Sequence, residues 1–348
     1  MAQITPEFLF DLESNMQIIT ANEYQRLLSN LWYPRVMKTM ESKSKKERLF
    51  WSLDTAKIER PNASHGGGQA IFEDLVMQTT EYENENAVVG LELKKEQLED
   101  LDGNGVSLAT DWSRQVGAQA AYWPQKICAA VIRDNGTTYD GLPFFSPIGA
   151  PHPVNPFNPD AGSFANDFTG AAVGIYPGAV PVDASVTIDV ALENLNAVKA
   201  YVASIVMPNG EDPRFLVVNA ILHPPALTAR MQQLTNAKFI AQAAAAGGGS
   251  GDVDAVIRNF GFGEPIEAPE LGSAFGGSDT TYYVLAQEIT SDQLGAIIFM
   301  EREAFSVLFH GPQTDAQLAR IRKFQWTMEG RNTANPGHPY LMFRCQST

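Results

Sequence analysis

Between Tyr139 and Pro153 the chain reads Tyr-Asp-Gly-Leu-Pro-Phe-Phe-Ser-Pro-Ile-Gly-Ala-Pro-His-Pro, with four prolines, two glycines, three aromatics and one acid. No other stretch limits the fold as strongly. Each proline holds its own φ near −65° and pushes the residue before it toward extended backbone, while Gly141 and Gly149 permit tight bends. The segment is therefore a stiff loop. Phe144 and Phe145, carried on so rigid a frame, read as packing anchors and not as catalytic groups.

A long helix leads into this loop. Leu108, Trp112, Val116, Ala120, Trp123, Ile127 and Val131 recur at three- and four-residue steps, which predicts a helix over 107–133 with one apolar stripe. At about 1.5 Å per residue it spans roughly 40 Å. Pro124 removes one backbone donor and crowds the preceding turn, so the helix is expected to kink or divide there.

Other segments read with less constraint. Thr20-Ala-Asn-Glu23 has the form of a capping box opening a short helix that Pro34 stops. A basic patch follows: Arg35, Lys38, Lys43, Lys45, Lys46 and Arg48. Its plain reading is a solvated arm; the sharper one is an arm that docks on an acidic surface of a neighbouring subunit or faces nucleic acid. Residues 49–94 alternate apolar and polar in the manner of strands, interrupted by Pro61-Asn-Ala-Ser-His-Gly-Gly-Gly68, the expected tip of an extended hairpin. Its second half carries Glu73, Asp74, Glu81, Glu83 and Glu85, opposite in sign to the arm, an arrangement that favours head-to-tail contact between subunits.

Beyond the stiff loop, residues 154–185 are rich in Pro, Gly, Ala and Asn and read as irregular. Ile188, Leu192, Leu195, Val198, Val202 and Ile205 mark a second helix, Pro208–Pro213 a turn, Phe215–Val218 a buried strand, and Pro224-Pro225 the opening of a helix through Leu234. Ala243–Gly251 is low in complexity and reads as a surface loop. Strands are predicted at 282–289, 296–300 and 304–309. Further strands follow where Phe324, Trp326 and Met328 alternate with polar neighbours, and at Tyr340–Arg344. Helices and strands do not alternate regularly, so the fold class is α+β and not a doubly wound sheet. At 348 residues the chain is long enough for two or three subdomains.

The residues that could carry chemistry are few. Lys+Arg 25 against Asp+Glu 40 gives −15, a poor balance for a general nucleic-acid binder. Two cysteines, Cys128 and Cys345, imply no disulfide framework and a reducing compartment. No signal segment or apolar run of spanning length is visible. Asp100-Leu-Asp-Gly-Asn-Gly-Val-Ser-Leu-Ala-Thr-Asp111 partly matches a calcium loop, yet Ser107 and Leu108 stand where an aliphatic residue and an oxygen donor belong, and Asp111 where the bidentate Glu belongs. A Gly-rich turn that starts the long helix explains the same letters. His65, His152, His223, His310 and His338 are scattered, and no metal spacing, nucleophile elbow or phosphate loop appears. The sequence nominates no catalytic, cofactor-binding or metal-ligating residue, and the expected protein is not an enzyme.

The order of these elements resembles the major head (capsid) subunits of tailed phages, particularly the Mu-type family. The long helix running into Tyr139-Asp-Gly…Phe144-Phe…His152-Pro carries the likeness. So do the helix–turn–strand–helix of Thr187–Leu234 and the closing stretch Arg320–Arg344 with Phe324-Gln-Trp326, Gly330-Arg331 and Gly337-His-Pro-Tyr340. The resemblance implies the Hong Kong ninety-seven capsid fold. On that template 1–48 is an N-terminal arm and 49–93 an extended β-hairpin loop. Residues 94–186 and 301–348 make a peripheral domain whose spine helix is about 107–133, and 187–300 an axial domain.

It further implies pentamers and hexamers of an icosahedral head around double-stranded DNA, in a virion assembled in the host cytoplasm. The partners would be other copies, a separate scaffold, a portal and decoration proteins, with only weak non-specific contact to the DNA. Flexible joints are expected at Gly66–Gly68, Pro124 and 243–251. Some members of the fold link a loop Lys to an Asn of a neighbour; Lys57 with Asn332 or Asn335 would fill those parts, but no motif marks them and no cross-link is expected. The alternatives are an encapsulin-like compartment shell and a phage tail or decoration protein.

Overall fold

The computed structural model describes residues 4–52, 77–99, 104–236, 262–289, 295–311 and 323–347. The chain divides into two compact units, one of Met1–Leu49, Glu81–Val131 and Ile297–Asn335, the other of Phe50–Thr80, Ile132–Ala296 and Pro336–Thr348.

The first unit opens with helix α1, Pro6–Leu28. Thr5 caps it, its hydroxyl oxygen accepting the Phe8 N–H at 3.2 Å, and Pro6 fills the first turn, where the missing N–H costs nothing. The capping-box reading at Thr20 is thus wrong. Thr20 sits buried in the middle of the helix and donates to the Ser113 carbonyl at 3.2 Å, and the helix ends at Leu28, short of Pro34. Strands β1, Met37–Glu41, and β2, Lys46–Ser52, follow, then β3, Met77–Glu83, and β4, Glu85–Lys94. A short helix α2, Lys95–Glu99, precedes α3, Asn104–Asp134.

Helix α3 runs through Pro124 without dividing. Its buried face is also turned from the predicted stripe. Ala109, Ser113, Val116, Ala120, Ala121, Cys128 and Ala129 are buried, while Leu108 is exposed and Trp112, Trp123 and Ile127 lie at the margin. Close approach explains the shift. A Cβ built on Gly117 would stand 2.7 Å from the Thr20 carbonyl oxygen, so the α1 and α3 backbones nearly touch and only small residues fit between them.

This unit's sheet has the order β1-β11-β12-β4, where β11 is Ile297–His310 and β12 is Lys323–Pro336. β1 runs parallel to β11 and β12 antiparallel to β4. The two strands predicted at 296–300 and 304–309 are one. Glu301-Arg-Glu303 looks like a break in the apolar pattern, yet Glu303 stays in the ladder and meets Arg331 of β12 at 3.3 Å. Phe324, Trp326 and Met328 point inward as their alternation predicts and close a core with Leu9, Leu12, Met16, Val116 and Val307.

In the second unit the stretch 154–185 is largely irregular, as expected. It is held by the two-residue strands β5, His152–Pro153, β6, Ser163–Phe164, and β7, Asp167–Phe168. Helix α4, Ile188–Ala203, is capped by Thr187. Strand β8, Leu216–His223, runs longer than predicted; Pro225–Leu227 forms a 3-10 turn before α5, Thr228–Asn236. With β9, Glu264–Glu267, β10, Thr281–Glu288, and β13, Met342–Gln346, the sheet order is β7-β13-β10-β8-β9. β10 is antiparallel to both β8 and β13. α4 buries Leu192, Leu195, Val198 and Val202. Phe168 stacks on Phe343 at 5.8 Å in the same core.

Candidate assembly surfaces

The stiff loop is assembled by two asparagines. Asn135, just past α3, takes φ 50°, a left-handed cap that Asn tolerates better than most residues. Its amide brackets Phe145, accepting that N–H at 2.6 Å and donating to that carbonyl at 3.1 Å. Asn166, fully buried, accepts the Ser146 N–H at 2.8 Å. It donates to the carbonyls of Phe144 at 2.7 Å, Pro339 at 2.9 Å and Met342 at 3.2 Å. One side chain thereby ties the loop to the closing strand. Phe144 and Phe145 are buried, packed edge to face at 4.8 Å, as their reading as anchors requires.

His152 and Asp140 form the loop's polar interior. Asp140 Oδ2 lies 2.6 Å from His152 Nδ1, and His152 Nε2 is 3.2 Å from the Phe144 carbonyl, with both side chains sealed from water. Burial would push the Asp140 carboxyl up, but hydrogen bonds from His152, Thr138 and the Leu142 N–H outweigh it and hold the group below its ordinary value. The pair is structural: it satisfies groups that the folded loop removes from water.

A second cluster seats the start of the predicted extended loop. Trp51 of β2 stacks on Tyr139 at 5.3 Å and meets His338 edge to face at 4.7 Å; His338 packs against Tyr340 at 5.1 Å. Arg214 covers the Tyr340 ring at 3.5 Å and pairs with Glu288 at 3.3 Å. Burial first, then the Arg214 charge, pushes the His338 pKa down to about 3. Bound on one side by Arg214 and on the other by Leu216, Phe215 is held at φ 55° with half its surface in water. A bulky residue in that conformation is strained.

The basic arm and the acidic strand beyond it satisfy each other inside the chain. Lys45 meets Glu83 at 2.8 Å, and Lys46 and Arg48 both meet Glu81 at 3.2 Å across the β2–β3 pair. The charges that the sequence suggested for contact between subunits are thus engaged with each other within one chain. All of these pairs are exposed, so they set register more than stability. Glu47 anchors the turn before them, accepting from Ser42 and Ser44 hydroxyls at 3.0 Å each, while Asn84 donates to Ser42 at 2.6 Å.

The remaining candidates are dispersed. Asp100, Asp102, Lys57, His65, Gly66–Gly68 and 243–251 lie outside the described residues. Asn104 and Asp111 both fall within α3, so the second half of the calcium-loop match is helix and not loop. Asp111 instead lies 3.5 Å from Arg114. Asn332 is buried with its carbonyl oxygen engaged by the Trp123 indole N–H at 2.8 Å, and Asn335 donates to Thr333 at 3.4 Å. Among the described residues, no group of three or more His, Cys, Asp or Glu converges as a metal site would require. Exposed apolar side chains are instead the prominent surface feature: Val88 on the outer strand β4, Val173 and Ile175 at a tight turn, and Phe215 beside Ile289. Asn166 and Arg214 have no sequence signal, because each acts through carbonyls or rings distant in the chain.

This architecture is the phage major capsid fold. It is similar to the capsid structure of the cyanophage P-SCSP1u over 91% of this chain and 88% of that one, at 10% identity and a TM-score of 0.50. The mature capsid of bacteriophage PhiM1 matches over 91% and 87%, at 10% identity and 0.49. The procapsid of bacteriophage JBD30 matches over 99% and 77%, at 15% identity and 0.48. No protein-family model and no curated protein matches the sequence.

Proposed function

We propose that this chain is the major capsid subunit of a tailed bacteriophage, of the Mu-type head family, and that copies of it associate into the pentamers and hexamers of an icosahedral head. The carrying observation is the capsid fold across 91% of the chain. Three features agree with it. The exposed apolar side chains of an otherwise ordinary surface are what a subunit with several neighbours needs. The net charge of −15 keeps an inner wall from adsorbing DNA. The polar groups of the stiff loop are engaged in bracing backbone, which is structural work.

In this reading 1–48 is the arm and 49–93 the extended loop, seated at its root by Trp51. Residues 94–186 and 301–348 form the peripheral domain around the spine helix α3, and 187–300 the axial domain. Scaffold, portal, decoration proteins and packaged DNA are the further partners, and the virion is the destination.

The test is negative-stain electron microscopy of the purified chain with light scattering and analysis of particle contents. Closed shells or capsomer rings are expected. Shells enclosing a copurified enzyme would favour an encapsulin-like compartment, and a small stable trimer a tail or decoration protein.

A further inference from the structure

In the unit containing α1, a cavity of about 480 Å³ opens between α1, α3 and β11. Pro124, Phe299, Phe305 and Met328 contribute to its walls, and Tyr24 and Glu301 are among its polar groups. Glu301 faces a second acid, since β1 and β11 run parallel with Glu41 in register beside it. Among the described residues no cation reaches the Glu301 carboxylate; the neighbouring Arg331 is taken by Glu303. Burial first, and then the Glu41 charge, hold the Glu301 carboxyl above its ordinary value, the mark of a negative charge without compensation. Pro124 adds a second acceptor. It has no N–H to offer the Ala120 carbonyl one turn earlier, and both residues line the cavity.

An apolar-walled recess that carries an uncompensated carboxylate and a backbone carbonyl without its helical donor is complementary to one kind of group. A long cationic side chain lays its methylenes along the walls and brings its charged head to the acceptors. A hydrated metal ion would gain nothing from Phe299, Phe305 and Met328. We propose that this cavity receives a lysine or arginine side chain from a second copy of the chain. The proposal rests on the shell reading, which supplies a second copy in fixed register; the charge of the cavity supplies the residue type.

The experiment compares full-length wild type with Glu301→Gln and Glu301→Lys for particle yield by sedimentation and electron microscopy. Circular dichroism and thermal unfolding accompany each sample. Glu301→Lys should form no closed particles. Glu301→Gln should need at least about tenfold more protein for half-assembly, the scale expected when one partner of a buried charge pair is truncated. Both should keep the wild-type spectrum, and Glu301→Gln should unfold at no lower temperature, because it removes an unpaired acid. Wild-type yield of particles from either variant overturns the proposal while leaving the shell reading intact. Failure of the wild type to form any particle or capsomer overturns the shell reading and this inference with it. Tight binding of spermidine by unassembled wild type, lost in Glu301→Gln, would assign the cavity to a free polycation and overturn the role of a second copy.

Discussion

Asn166 shows how much one uncharged side chain can decide. Its amide engages four buried backbone groups: the oxygen accepts the Ser146 N–H, and the two N–H donors are shared among the carbonyls of Phe144, Pro339 and Met342. Asn166→Ala would leave several backbone groups unpaired away from water, so a loss of about 3 kcal/mol or more is expected in urea unfolding; a loss below about 1 kcal/mol would show that the loop is braced elsewhere. Phe215 predicts the opposite sign. Asn tolerates φ near +55°, so Phe215→Asn should gain about 1 kcal/mol in the same assay if the strain outweighs the half-exposed ring's packing.

Two histidines give the protein an acid limb. His223, lowered by burial, and His338, lowered by burial and by Arg214, stay neutral in the fold at pH values where the unfolded chain is protonated. Their contribution is present above about pH 6.5 and is lost as pH falls toward their folded values. Asp140, also depressed, adds a further loss only below about pH 4. Between pH 6.5 and 4 each histidine costs at most about 1.4 kcal/mol per pH unit, and His338→Gln should flatten the fall of melting temperature there. An unchanged slope would place the acid sensitivity elsewhere.

At the scale of elements, the crossing of α1 and α3 brings two backbones into close approach. Gly117→Ala would drive a Cβ against the Thr20 carbonyl and its Cα at 3.1 Å, both backbone atoms that cannot swing aside. A loss of about 1–3 kcal/mol in chemical unfolding is expected, and Thr20→Val should add to it less than independently, because both act on one crossing. A neutral Gly117→Ala would mean that α1 can shift without cost. This crossing also explains why the helix stripe was misread. Bulky Trp112 and Trp123 dominate the apolar periodicity, but the buried face is the one with Ala109, Ser113, Gly117 and Ala121, whose small size signals nothing in a hydropathy pattern.

For the whole molecule the governing quantity is charge. In the proposed shell, copies carrying −15 each would repel one another, while the contacts offered by exposed apolar residues are short-ranged. Raising salt from about 0.05 M to 0.5 M shortens the screening length to a few ångström and should increase particle yield and rate in light scattering. A decline with salt would indicate that attraction between unlike charges governs association. The charge ladder of Lys45, Lys46 and Arg48 with Glu81 and Glu83 is already paired within one chain, so it is not expected to add such an attraction.

The sequence by itself determined what local physics controls: the stiff loop from its prolines, the inward faces of Phe324, Trp326 and Met328 from period-two alternation, the α4 helix from its spacing, and the α+β class from the order of elements. Only the tertiary structure decided the rest. The real start of α1, the rotated face of α3, the single strand through Glu301-Arg-Glu303, and the engagement of Asn166, Arg214 and Asn332 all depend on partners distant in the chain. Propensity and periodicity register a residue's own conformational cost and apolar surface. Which carbonyl an asparagine meets, or how near two helices come, is settled by packing, and packing has no local signature.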